Sequence, residues 1–210
     1  MEQQDDFAFE PIPGLPEALP KNEIILWQGR PSTLALARES LGLTWIVGYF
    51  ALLAFWRVGV SAADIGWGPA LPQALPFVAL GLIAAGIILG VAWVQARSTI
   101  YTITTARVAM RIGAALTLTL NLPFSKIASA DLSLRRGGTG TIAITTKGDT
   151  RLSYMVLWPH IRPWRMRQPE PALRAIPNAE QVAQILADAA ETHISQPVIA
   201  PHGASPVAAE

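Results

Sequence analysis

Two long stretches without a charged residue limit what this chain can fold into. Residues 40–56 (SLGLTWIVGYFALLAFW) and 74–94 (ALPFVALGLIAAGIILGVAWV) contain no Asp, Glu, Lys or Arg. A bilayer core takes a helix of roughly 17–25 apolar residues, and both stretches reach that length. Water-soluble helices rarely stay apolar on every face for so long. The pattern predicts a two-helix transmembrane hairpin over residues 40–94. Arg38 and Arg57 would extend the shorter first span by reaching toward the interfaces. Trp45, Trp56, Trp67 and Trp93 fall near the expected boundaries, where an aromatic belt sits. Composition points the same way: 51% of the chain is hydrophobic and 15% charged, against about 25% charged in average soluble domains.

The flanks suggest an orientation. Lys21, Arg30 and Arg38 precede the first span, and Arg97, Arg107 and Arg111 follow the second. Only Arg57 and Asp64 lie between. Positive charge stays on the cytoplasmic side, so the expectation is a multi-pass protein of a bacterial inner membrane with both termini cytoplasmic. Gly86 and Gly90 are spaced to let two helix backbones approach, within the hairpin or with a partner. No ionisable residue interrupts either span, which argues against a proton path and leaves no intramembrane ligand for a haem or chlorophyll.

Residues 1–39 read as an extended arm, acidic at Glu2, Asp5, Asp6, Glu10 and Glu17 and rich in proline. A secretory signal would begin basic and continue apolar. Residues 194–210 read as a disordered tail. Between hairpin and tail, residues 95–193 change character. Short β-branched runs alternate at 98–104, 107–112, 116–122, 127–134 and 141–146, with a further strand expected at 151–157. A helix follows, with Asn178 and Gln181 spaced as a capping box and Val182, Ile185, Leu186 and Ala189 on one face. The predicted class is α+β: the hairpin plus an antiparallel β domain closed by a C-terminal helix, the layout of a pleckstrin-homology-like fold.

The absence of cysteine removes disulfides, zinc–thiolate sites and thiol catalysis. A net charge of +1 gives no reason to expect a nucleic-acid partner. The three histidines are far apart, and no nucleophile-and-base set accompanies Asp131 or Asp149. The reading is non-enzymatic, with no metal and no cofactor.

Residues 158–167 (WPHIRPWRMR) fit neither structural period. Trp158, His160, Arg162, Trp164, Arg165 and Arg167 combine the residue types enriched at binding hot spots and in the headgroup zone of a bilayer. They are the candidate partner or membrane-interface site; a proline-pinned loop that packs its tryptophans on the β core is the alternative. From Gln95 onward the chain holds twelve Lys or Arg against seven Asp or Glu. That excess suits an anionic membrane surface or a merely solvated face.

Several motifs together carry a family likeness. They are PGLP at residues 13–16, ILWQGRP at 25–31, YTIT at 101–104 with Arg107, NLPF at 121–124, GTG at 138–140, LWPH at 157–160 and LRAIP at 173–177. The chain resembles the PuhB family of photosynthetic complex assembly proteins of purple bacteria, and more broadly the bacterial pleckstrin-homology-like membrane proteins. That resemblance implies a membrane-bound assembly factor for the photosynthetic reaction centre and its core light-harvesting antenna. Reaction-centre and core-antenna subunits, or other assembly factors, would be its partners, with membrane lipids and a second copy of the chain besides. The other reading is a lipid-sensing or envelope scaffold module on a membrane anchor.

Overall fold

Residues 25–29 (ILWQG) alternate between half-buried and exposed positions, as a strand with one face on a core must. The computed structural model describes residues 12–15, 17–113, 117–135, 137–148 and 152–195. In it this segment is β1 (Ile25–Gly29), paired antiparallel with β2 (Ile100–Thr104). The hairpin is therefore inserted between two neighbouring strands of one sheet. The sheet continues with β3 (Arg107–Ile112) and β4 (Leu118–Pro123) in the order β1-β2-β3-β4. A second sheet is built from β5 (Ile127–Leu134), β6 (Thr139–Thr146) and β7 (Ala172–Pro177).

The insertion begins with a short helix, α1 (Thr33–Glu39). Then come α2 (Leu43–Ile65), the one-turn α3 (Trp67–Ala70), a 3-10 turn over Leu71–Ala74, and α4 (Leu75–Ser98). At 1.5 Å per residue, helices of 23 and 24 residues are long enough to cross a membrane, and they are apolar enough to do so. Their side chains face outward: Trp45 is 84% exposed, Phe55 71% and Leu82 69%. The first helix does not stop near Trp56 as the charge pattern suggested. It starts at Leu43, after Gly42 in the left-handed region, and runs through Arg57 and Asp64 to Ile65. A charge at a helix end interrupts hydropathy without breaking the hydrogen-bonded ladder.

The five strands expected between residues 98 and 146 are present, as is the closing helix α6 (Ala179–Ser195). Val182, Leu186 and Ala189 of α6 cover a core of Tyr101, Ile103, Val108 and Met110 from one sheet and Ile142, Ile144, Leu173 and Ile176 from the other. This is the α+β, pleckstrin-homology-like arrangement expected. Three local readings change. Residues 154–157 form a helical turn, α5 (Tyr154–Leu157), not a strand. β7 is an additional strand, its period hidden because five of its six residues are buried. The arm also carries structure: Leu15 is 1% exposed, and Gln28 Nε2 donates to the Pro13 carbonyl at 2.9 Å. Gly14 has φ +89°, and a Cβ there would lie 2.7 Å from Ile100 Cγ2, so the docked turn needs glycine. The tail expected beyond Ser195 lies outside the described residues.

Candidate partner and membrane-interface site

Thr99 is the first residue beyond α4, and its hydroxyl is 3.0 Å from His160 Nε2. The Tyr101 hydroxyl is 2.6 Å from His160 Nδ1 and accepts the Arg174 backbone N–H at 3.2 Å. All three partners are enclosed: Thr99 and Tyr101 are fully buried and His160 is 1% exposed. His160 was expected on the binding surface, and it is instead the anchor beneath that surface. An imidazole with two well-placed partners is less costly to bury than to leave half-solvated. Burial, reinforced by the nearby Arg174 charge, pushes its pKa down to about 3, so the ring is neutral. Burial likewise raises the Tyr101 pKa.

Arg174 ties this anchor to the hairpin from the other side. Its guanidinium donates to the Glu39 carbonyl at 3.0 Å and to the Ile161 carbonyl at 3.3 Å. Glu39 ends α1, a few residues before α2, while Ile161 follows His160 in the loop. Leu36 of α1 packs on Ala96 of α4 and Ala175 of β7, and the Ser32 N–H donates to the Ala175 carbonyl at 2.8 Å. Both ends of the hairpin are thus pinned to β7 and to the start of the loop. Desolvation lowers the Arg174 pKa, opposed chiefly by the Glu39 carboxylate.

From that base the loop leaves the core. Ile161 bridges Pro171, and the Arg162 N–H donates to the Glu170 carbonyl at 2.9 Å, closing the neck. The Arg162 guanidinium reaches Asp131 at 2.6 Å and Glu170 at 3.0 Å, and Arg165 reaches the other Glu170 oxygen at 3.1 Å. The two carboxylates raise the Arg162 pKa through hydrogen bonds, Asp131 first. Arg162 therefore braces the neck. Beyond it Trp164 is 90% exposed, Met166 68% and Trp158 46%, with Arg165 and Arg167 exposed beside them. Met155 and Val156 of α5 are exposed as well. Water-facing domains rarely carry so many large apolar side chains together unless something covers them.

Of the six residues singled out in sequence, Trp158, Trp164, Arg165 and Arg167 present a surface, Arg162 holds its neck and His160 its floor. Thr99, Tyr101, Glu170 and Arg174 escaped notice. Arg174 left a trace: an arginine between leucine and alanine in an apolar run must find partners if the run is buried. Gly86 and Gly90 do not join the hairpin to itself. A Cβ at either would meet nothing within 4 Å, whereas one at Gly81 would lie 2.9 Å from Phe50 Cβ. Among the described residues no cluster of His, Asp and Glu could hold a metal ion.

A family model described as bacterial PH domain matches residues 42–190. A protein of Rhodobacter capsulatus, described as an uncharacterized 23.7 kDa protein in the puhA 5′ region, is 47% identical over 196 residues, covering 92% of each chain. No solved structure matches the chain significantly.

Proposed function

From the premise that this chain belongs to the bacterial PH domain family, we propose that it is a membrane-anchored, non-enzymatic assembly factor for photosynthetic reaction-centre and core-antenna complexes. The hairpin is its anchor in the inner membrane of a phototrophic bacterium. Strands β1 and β2 flank the hairpin and pair with each other, which supports two crossings with both flanks on one side. The basic flanks favour the cytoplasm for that side.

The observation that carries the reading is the double tie at the hairpin base, His160 to Thr99 and Arg174 to both Glu39 and Ile161. It sets the exposed Trp158–Arg167 loop beside the outward-facing apolar helices, so that one surface offers both to another membrane protein. The photosynthetic context is supported by the motifs shared with the PuhB family and by the similar Rhodobacter capsulatus protein of the puhA 5′ region. The open Gly86–Gly90 face supports packing against a partner helix, including that of a second copy.

A mild-detergent purification of the tagged protein from photosynthetically growing cells tests this. Reaction-centre or core-antenna polypeptides should accompany it, and Trp158→Ala with Trp164→Ala should reduce them. Recovery of the protein with lipid alone would favour a lipid-sensing scaffold, the reading that the Trp–Arg loop also allows.

A further inference from the structure

Three arginines distant in sequence meet at the base of the hairpin, away from the groups that pin His160. Arg30 follows β1, Arg97 lies in the last turn of α4, and Arg111 sits on β3 opposite Ile100. With Trp93, Val94 and Ser98 they line an open pocket of about 380 Å³. No carboxylate is present among the described residues that line it. Arg30 and Arg97 are exposed, while Arg111 is only 7% exposed. Its charge is therefore built into the floor of the site. The Arg97 guanidinium stands 4.9 Å from the centre of the Trp93 ring, which holds it in place.

The two halves of the pocket differ in chemistry. Guanidinium groups match the oxygens of a phosphate with paired hydrogen bonds. Trp93 and Val94, 51% and 43% exposed, form an apolar wall continuous with α4. A ligand that carries a phosphate and an apolar tail in one molecule satisfies both halves. The last turn of a spanning helix also lies at headgroup depth, where such molecules are concentrated. We infer that this pocket binds the phosphate of an anionic phospholipid headgroup, with Trp93 and Val94 against the start of its acyl chains. The inference rests on the hairpin being a bilayer anchor. Inorganic phosphate offers the same oxygens without the tail, and the experiment separates the two.

The full-length protein is reconstituted into vesicles of equimolar phosphatidylglycerol and phosphatidylcholine, floated, extracted in mild detergent and weighed by native mass spectrometry. The wild type should retain phosphatidylglycerol in preference. Arg30→Gln with Arg97→Gln should reduce that preference roughly 30-fold, the size expected when two basic residues leave an anionic surface. Both side chains are exposed, so the fold should survive, as thermal unfolding would verify. Arg38→Gln, on the exposed face of α1, should change little. Equal retention of the two lipids by the wild type overturns the inference, and so does an equal effect of Arg38→Gln. Displacement of phosphatidylglycerol by millimolar inorganic phosphate would overturn the lipid assignment; retention in its presence supports it. A wild type that fails to float removes the anchor, and this site with it. One that floats without lipid preference removes only the site.

Discussion

The Tyr101 hydroxyl donates to His160 Nδ1 across 2.6 Å. The direction follows from its other neighbour, the Arg174 amide, which can only donate and so occupies the hydroxyl as acceptor. Nδ1 is then unprotonated, Nε2 carries the ring proton, and that proton goes to Thr99 Oγ1. One neutral tautomer satisfies every partner. A charged ring would carry a second proton on Nδ1, and the hydroxyl would have to give up one of its roles.

Stability should therefore respond to pH through His160. Above pH 6.5 the ring is neutral in the folded and unfolded chains, and it adds no slope. Below that, the unfolded chain takes a proton that the folded chain refuses until about pH 3. Stability falls as pH drops through this window, by about 1.4 kcal/mol per unit from this one group. Urea unfolding of wild type and His160→Gln at pH 7 and pH 5 measures it. The wild type should lose more between the two, and parallel losses would show that the ring is not shielded as described.

Arg174→Met should loosen the joint between hairpin and domain more than it harms the domain. The Glu39 and Ile161 carbonyls each lose a charged donor, a loss of about 1.5–3 kcal/mol apiece. Removing a buried charge offsets part of that, leaving a net destabilisation of about 1–3 kcal/mol. The local signature is sharper. The Ser40 amide, bonded to the Leu36 carbonyl at the end of α1, should exchange with deuterium faster in the variant. Unchanged exchange there would mean that α1 is held by the packing of Leu36 alone.

How much of this was legible in the sequence depends on how far each feature reaches along the chain. The hairpin announced itself because lipid-facing helices lack charge on all faces, a property of consecutive residues. Strands β2 to β6 did so through alternation or β-branched runs. β1 and β7 did not, because each is defined by partners across a long gap: Ile25 pairs with Thr104 and Leu173 with Ile142. The Trp158–Arg167 segment was recognisable as a surface from composition. The inward turn of His160 was not, since it depends on Thr99 and Tyr101, about sixty positions earlier. The Arg30, Arg97 and Arg111 pocket was invisible for the same reason.

Trp164 sits at φ +67°, a left-handed conformation that side chains with a Cβ adopt at a cost of about 1–3 kcal/mol. With 90% exposure it recovers nothing from the core. Trp164→Gly should thus leave the domain as stable as before or up to about 1 kcal/mol more so, the relief being reduced by the extra freedom of glycine in the unfolded chain. The same change should lower recovery of membrane partners in the pull-down. A clear loss of stability would show instead that the ring packs on the domain and that its exposure is not functional.

The two glycine positions of the second span should separate internal from external packing. Gly81→Ala places a methyl 2.9 Å from Phe50 Cβ, and Phe50 belongs to the facing helix α2, so backbone or ring must move. Overpacking of this kind costs about 1–3 kcal/mol, read as a lower melting temperature in detergent. Gly86→Ala meets nothing within 4 Å and should melt like the wild type. If a second copy packs on that face, a bulkier Gly86→Leu with Gly90→Leu will block the close approach of the backbones. Crosslinking in native membranes should then yield less dimer at unchanged melting temperature. Crosslinked dimer in equal amounts would move the contact to another face, and a lower melting temperature would place Gly86 and Gly90 inside the hairpin after all.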